Sequence, residues 1–175
     1  MNTRILKLVV AIFAALYFLW CAYDPFTWKM IDGVDLLIHE AGHPIFHIFG
    51  EFIGVAGGSI MQVLIPLVFF GYFLYRGQYY SASFILFWVG QSTLNVFVYA
   101  NDAVVMQLPL LSGMTGSEGG FHDWNYLLDA TGMLGHTKQV AAVIRILGTA
   151  AIVLAIIGTI KFSGQNEQMF DDDQL

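Results

Sequence analysis

The sequence predicts an all-α fold, a polytopic membrane helix bundle with about five transmembrane helices and a long loop between the fourth and fifth. Three observations carry this. Of 175 residues, 57% are hydrophobic and 11% are charged, against about 25% charged in a soluble domain. Charges are sparse within apolar runs of 19 to 25 residues, and about 20 such residues cross a bilayer as a helix. Thirteen Asp+Glu against 7 Lys+Arg give a net charge of −6, which excludes a nucleic-acid binder, since that needs basic surface. A single cysteine, Cys21, excludes a disulfide framework and a cysteine-cluster metal site. The chain reads as one integral-membrane domain, residues 1–175, with a core of chemistry at about 31–125 and an acidic polar tail at 162–175.

The elements follow in order. Ile5–Tyr23 is 19 residues with one charge, Lys7. Arg4 and Lys7 mimic the start of a signal peptide, but the apolar stretch is too long for one, so a retained first helix is expected. The second helix, about Ile31–Phe52, is the odd one, because His39, Glu40, His43 and His47 lie inside its apolar frame. Gly54–Ser59 reads as a Gly-rich link. The 24 uncharged residues between Glu51 and Arg76 and the 25 between Arg76 and Asp102 hold the third and fourth helices, at about Ile60–Tyr75 and Tyr79–Ala100. The short Arg76–Gly77–Gln78 turn makes them antiparallel neighbours. Val140–Ile160 is the fifth span, with Arg145 its one charge. Segment 101–139 is mixed and carries Pro109, Gly119–Gly120 and His122–Asp123. Tyr79, Tyr80, Trp28 and Trp124 read as interfacial belt residues. Lys and Arg near the helix ends, four against three, place the N-terminus on the cytoplasmic side of a cell or inner membrane.

His39-Glu40-Ala41-Gly42-His43 is an HExxH motif. On a helix, positions i and i+4 share a face one turn apart. Two imidazoles there can each offer a nitrogen to one Zn²⁺ at about 2.0–2.1 Å. Glu40 follows the first ligand and is placed to act as a base on a water activated by the metal. Ionisable residues inside an apolar helix are costly and mark function by default.

At this motif the chain resembles the site-2 protease family of intramembrane zinc metalloproteases. The resemblance implies that His39 and His43 are zinc ligands and that Glu40 is the catalytic base. It extends to the Gly57-Gly58-Ser59 stretch and the short hydrophobic helix that follows. The family also supplies an aspartate ligand from a later helix, a few residues after an asparagine. Asn95-Val-Phe-Val-Tyr-Ala-Asn101-Asp102 is similar to that pattern, without its proline or the leucine and glycine beside the aspartate. This makes Asp102 the implied third ligand. Asn95 is the implied donor to the oxyanion of a tetrahedral intermediate.

The residues themselves leave rivals. Phe121-His122-Asp123-Trp124, behind two glycines, can fold back over the metal, with His122 as third ligand and Asp123 orienting an imidazole. Asp35, one turn before His39, is a candidate acceptor for that ring. His47 is a hydrogen-bonding or interfacial residue, and His136 is on the surface. Gln91, Ser92, Thr93 and Asn95 are expected to bond between helices. The function expected is therefore an intramembrane zinc metallopeptidase acting on a single-pass membrane protein in contact with membrane lipid. The alternatives are a non-hydrolytic membrane metal-binding protein and a zinc-dependent lipid amidase or esterase.

Overall fold

The computed structural model describes residues 3–165. The expected 166–175 part of the acidic tail lies outside the described residues. Six α-helices follow one another: α1 (Thr3–Tyr23), α2 (Met30–His47), α3 (Glu51–Tyr75), α4 (Tyr79–Asn101), α5 (Asp123–Ala130) and α6 (Thr137–Phe162). Short 3-10 turns occupy Gly116–Glu118 and Leu134–His136. Among the described residues there is no strand, only an isolated bridge between Pro109 and Thr115.

Among the described residues, four helices are long and apolar enough to cross a membrane: α1, α3, α4 and the stretch Leu134–Phe162 that contains α6. The sequence suggested about five. The difference is α2, which has 18 residues and carries Asp32, Asp35, His39, Glu40 and His43. Lipid cannot satisfy such side chains, and the helix buries Asp32, Asp35 and His39 against protein instead.

Small residues set the packing, as expected where lipid is as apolar as the helices and close approach supplies the attraction. The tightest pair is α4 with α6. Gly90 and Gly148 face each other there, and a Cβ on either would lie 2.8–2.9 Å from the other's carbonyl oxygen. Phe18 and Cys21 of α1, Phe87 and Leu94 of α4, and Ile152 and Ala155 of α6 form the buried apolar cluster around this crossing. The second tight pair is α2 with α3. Gly42 of α2 abuts the Gly57 backbone, and Gly57 abuts Phe46.

This pairing corrects the expected Gly54–Ser59 link. Those residues are the first turns of α3, helical throughout. The break between helices lies earlier, at Ile48–Gly50, where Gly50 adopts φ +104°, a conformation open to glycine and strained for other residues. The glycines of α3 are there to let α2 approach. Pro44 is accommodated inside α2, where it leaves the Glu40 carbonyl without its helical donor. The mixed segment is also more than a loop, since α5 lies within it. One of the expected belt residues, Tyr80, is internal, and Trp124 is half-buried. Tyr80 is buried with its hydroxyl donating to the Lys7 carbonyl, and Trp124 donates to Ser59 at 3.1 Å.

Candidate metal centre

Helical spacing puts His39 and His43 on one face of α2, with ring centroids 5.0 Å apart. The N-terminus of α5 brings Asp123 to both. Its Oδ2 lies 3.0 Å from His39 Nε2 and 3.3 Å from His43 Nε2, and the three ligand atoms lie within 4.8 Å of one another. For four ligands at 2.0–2.1 Å, tetrahedral geometry puts neighbouring ligand atoms about 3.3 Å apart. The observed separations suit a common ion with little movement.

The second nitrogen of each ring decides what the first can do. His43 Nδ1 lies 3.0 Å from the Gly54 carbonyl oxygen, which can only accept, so Nδ1 carries the proton. His39 Nδ1 lies 3.1 Å from Gln62 Oε1. The orientation of that amide follows from its other end, where Nε2 donates to Asn95 Oδ1 at 2.8 Å and towards the Ser92 carbonyl at 3.4 Å. His39 Nδ1 therefore donates as well. In the neutral rings both Nε2 atoms then present lone pairs towards a carboxylate oxygen. Three acceptors converge with no donor between them, which is unfavourable unless a cation fills the centre or one ring takes up a second proton. Each imidazole held through its other N–H by an amide or carbonyl oxygen is also the usual support of a metal-binding histidine.

Asp123 is delivered by a set of short-range bonds. His122 caps α5, with its Nδ1 accepting from the Asn125 N–H at 3.2 Å. Asn125 Nδ2 donates to the Ala103 carbonyl at 2.8 Å, and the Asp123 N–H donates to the Tyr99 hydroxyl at 3.1 Å.

The structure does not bring Asp102 or His122 to the two histidines. Asp102 sits at the C-terminus of α4 and accepts from the N–H groups of Gln107 and Leu108 at 3.1 and 2.9 Å. Its Oδ2 lies 3.3 Å from His122 Nε2. Because Nδ1 of His122 is an acceptor, the proton of the neutral ring is on Nε2, facing Asp102. Burial pushes the His122 imidazole below its ordinary pKa, which favours that neutral form. The two residues thus pair with each other, across the two ends of the 102–122 loop, and their pairing puts Asp123 in place.

The remaining candidates fall into place around this centre. Glu40 and Asn95 line the same cavity of about 830 Å³ as His39, His43 and Asp123. Asn95 accepts from Gln62, so its amide also supports the His39 ring. Asp35 does not reach His39. It is fully buried and accepts from Trp88 at 3.1 Å and Ser92 at 2.8 Å. Gln91 donates to Asp32 at 2.6 Å, so Gln91 and Ser92 bond between helices as expected. Thr93 donates within its own helix, to the Val89 carbonyl. His47 and His136 are exposed. Gln62 is a site residue that the sequence does not single out, and Gly58, which enters there only as part of a Gly-rich stretch, has a specific place. A Cβ on Gly58 would lie 2.5 Å from His39 Nε2 and 2.7 Å from two ring carbons, so glycine there is the seat of the ring. A glutamine inside an uncharged apolar span was the available signal for Gln62.

No protein-family model, curated protein or solved structure matches the chain.

Proposed function

We propose that the protein is a membrane-embedded zinc hydrolase that cleaves a peptide bond, with His39, His43 and Asp123 as the metal ligands. The observation that supports this most is the convergence of two Nε2 lone pairs and a carboxylate oxygen, each imidazole fixed from behind by Gln62 or Gly54. Two nitrogens and one oxygen make a three-residue donor set that leaves a fourth position free, which is the pattern of catalytic rather than structural zinc. His43 is the more open of the two rings, its side chain 28% exposed against 7% for His39, so the free position faces the cavity.

Zinc bound there supplies a Lewis acid that polarises a carbonyl and lowers the pKa of water. The rest is the work of the chain. Glu40 follows the first ligand and shares the cavity, so it takes the proton of the attacking water and passes it to the leaving amine. Asn95, Gln62 and the Gly54 carbonyl keep the ligands in register. The 102–122 loop and α2 wall the cavity and limit access of bulk water. A substrate helix must unwind locally to enter, because its carbonyls are otherwise occupied by its own backbone.

The test is Glu40→Gln beside wild type in detergent-purified, zinc-loaded protein. The variant should keep its zinc and lose peptide hydrolysis, since glutamate is a base here and not a ligand. Hydrolysis at the wild-type rate in Glu40→Gln would exclude the role and would favour a membrane metal-binding protein without this chemistry.

A further inference from the structure

The wall of the cavity carries a charge pattern that bears on what can enter. Its carboxylates are Asp32, Glu40 and Asp123, and no lysine or arginine lines it among the described residues. Lys29, whose charge acts on Asp32, is not among the lining residues. Its Nζ donates to the carbonyls of Asp24 and Thr27 at 2.6 Å each and lies over the Trp20 ring at 5.0 Å. Asp32 receives only donors, the Lys29 N–H and Gln91 Nε2, both at 2.6 Å. Burial works against a charge on Asp32, and these donors, with the Lys29 ammonium, work for it. The rest of the wall is largely apolar, with Phe26, Trp28, Leu36, Leu108, Leu111 and Phe121 among its residues.

Resting on the zinc-peptidase reading, we infer that the cavity selects its substrate by charge: it takes an uncharged or basic stretch of polypeptide and rejects acidic side chains and anionic lipid headgroups beside the bond to be cut. Three carboxylates outweigh the two positive charges of a bound zinc ion, and the surplus lies along α2. Glu40 is beside the first ligand. Asp32 is seven residues before it, about 10 Å along the helix axis. An anion entering on that side meets two carboxylates and no cation on the cavity wall, where the apolar lining weakens solvent screening. A neutral amide stretch meets no such barrier, and its apolar side chains have Phe26, Leu36 and Leu108 to pack against.

The experiment uses the zinc-loaded full chain in detergent and matched peptides that differ only in one residue flanking the scissile bond, as Gln, Glu or Lys. Gln and Glu are close in shape, so their ratio reports charge. The expected result is kcat/KM at least about tenfold lower for Glu than for Gln, with Lys equal to Gln or better. The Glu/Gln gap should shrink in Asp32→Asn, and it should shrink with added salt in the wild-type protein. Equal kcat/KM for Glu and Gln would overturn the inference while leaving the peptidase reading intact. A gap that neither salt nor Asp32→Asn reduces would also overturn it, because the discrimination would then be one of shape. Cleavage of no peptide in the set would overturn the peptidase reading itself.

Discussion

Replacing Gly58 with alanine adds one methyl group to α3, and the structure says where it goes. The new Cβ would lie 2.5 Å from His39 Nε2 and 2.7 Å from its Cδ2 and Cε1. Comfortable contact is about 3.5–4.0 Å, so the ring must retreat by roughly 1 Å. It has little freedom to do so, because Nδ1 is held by Gln62 and Nε2 faces Asp123. Overpacking of this kind costs about 1–3 kcal/mol. The larger consequence is chemical, since a 1 Å misplacement can cost about 100-fold in rate, and loss of ligand support costs about 10–100-fold in metal affinity. Gly58→Ala should therefore lower zinc affinity by at least about tenfold, with the helices still formed. Zinc retention against a graded chelator, read beside circular dichroism, is the assay. Gly71→Ala is the control in the same helix, since nothing lies within 4 Å of the added atom. It should leave affinity unchanged and, by helix propensity, add up to about 1 kcal/mol of stability. If Gly58→Ala binds zinc like wild type, the His39 ring is not seated as described.

Asp123→Ala should lower zinc affinity by more than about 100-fold, beyond the range of support residues, while Asp102→Ala and His122→Ala should each lower it by about tenfold by loosening Asp123. Equal losses from Asp102→Ala and Asp123→Ala in a chelator titration would refute this order. Gln62→Ala removes the acceptor behind His39 and should weaken zinc binding about 10–100-fold, with Gln62→Glu, which keeps an acceptor oxygen, closer to wild type. Gly148→Leu should prevent the close approach of α4 and α6 at Gly90 and be the most destabilising of these changes, visible as a lower thermal midpoint in detergent. An unchanged midpoint would mean that the crossing is not where the structure puts it.

Helices were legible because hydrophobic runs of spanning length leave the backbone little choice. The motif was legible because its spacing matches the helix period, and His39 and His43 do meet on one face. Three features were not legible, each for a physical reason. Glycines in a row signal flexibility in water, but Gly54, Gly57 and Gly58 sit where α2 must approach closely, and only the partner helix reveals that. The fold-back of Phe121–Trp124 behind Gly119 and Gly120 is legible, but not that Asp123 rather than His122 would face His39 and His43. No local pattern shows that Asp102 and His122 lie against each other. Asp35 shares the stripe of His39 on α2, yet Trp88 and Ser92 of α4 claim it. Periodicity fixes a face but not the side chains across from it.

The central claim is that His39, His43 and Asp123 together hold one metal ion. It is tested most directly by the zinc content of the purified wild-type protein beside Asp123→Ala, after the same mild chelation. The account predicts close to one zinc per chain in the wild type and little in the variant. Equal zinc in the two proteins, or none in a folded wild type supplied with zinc, would contradict it.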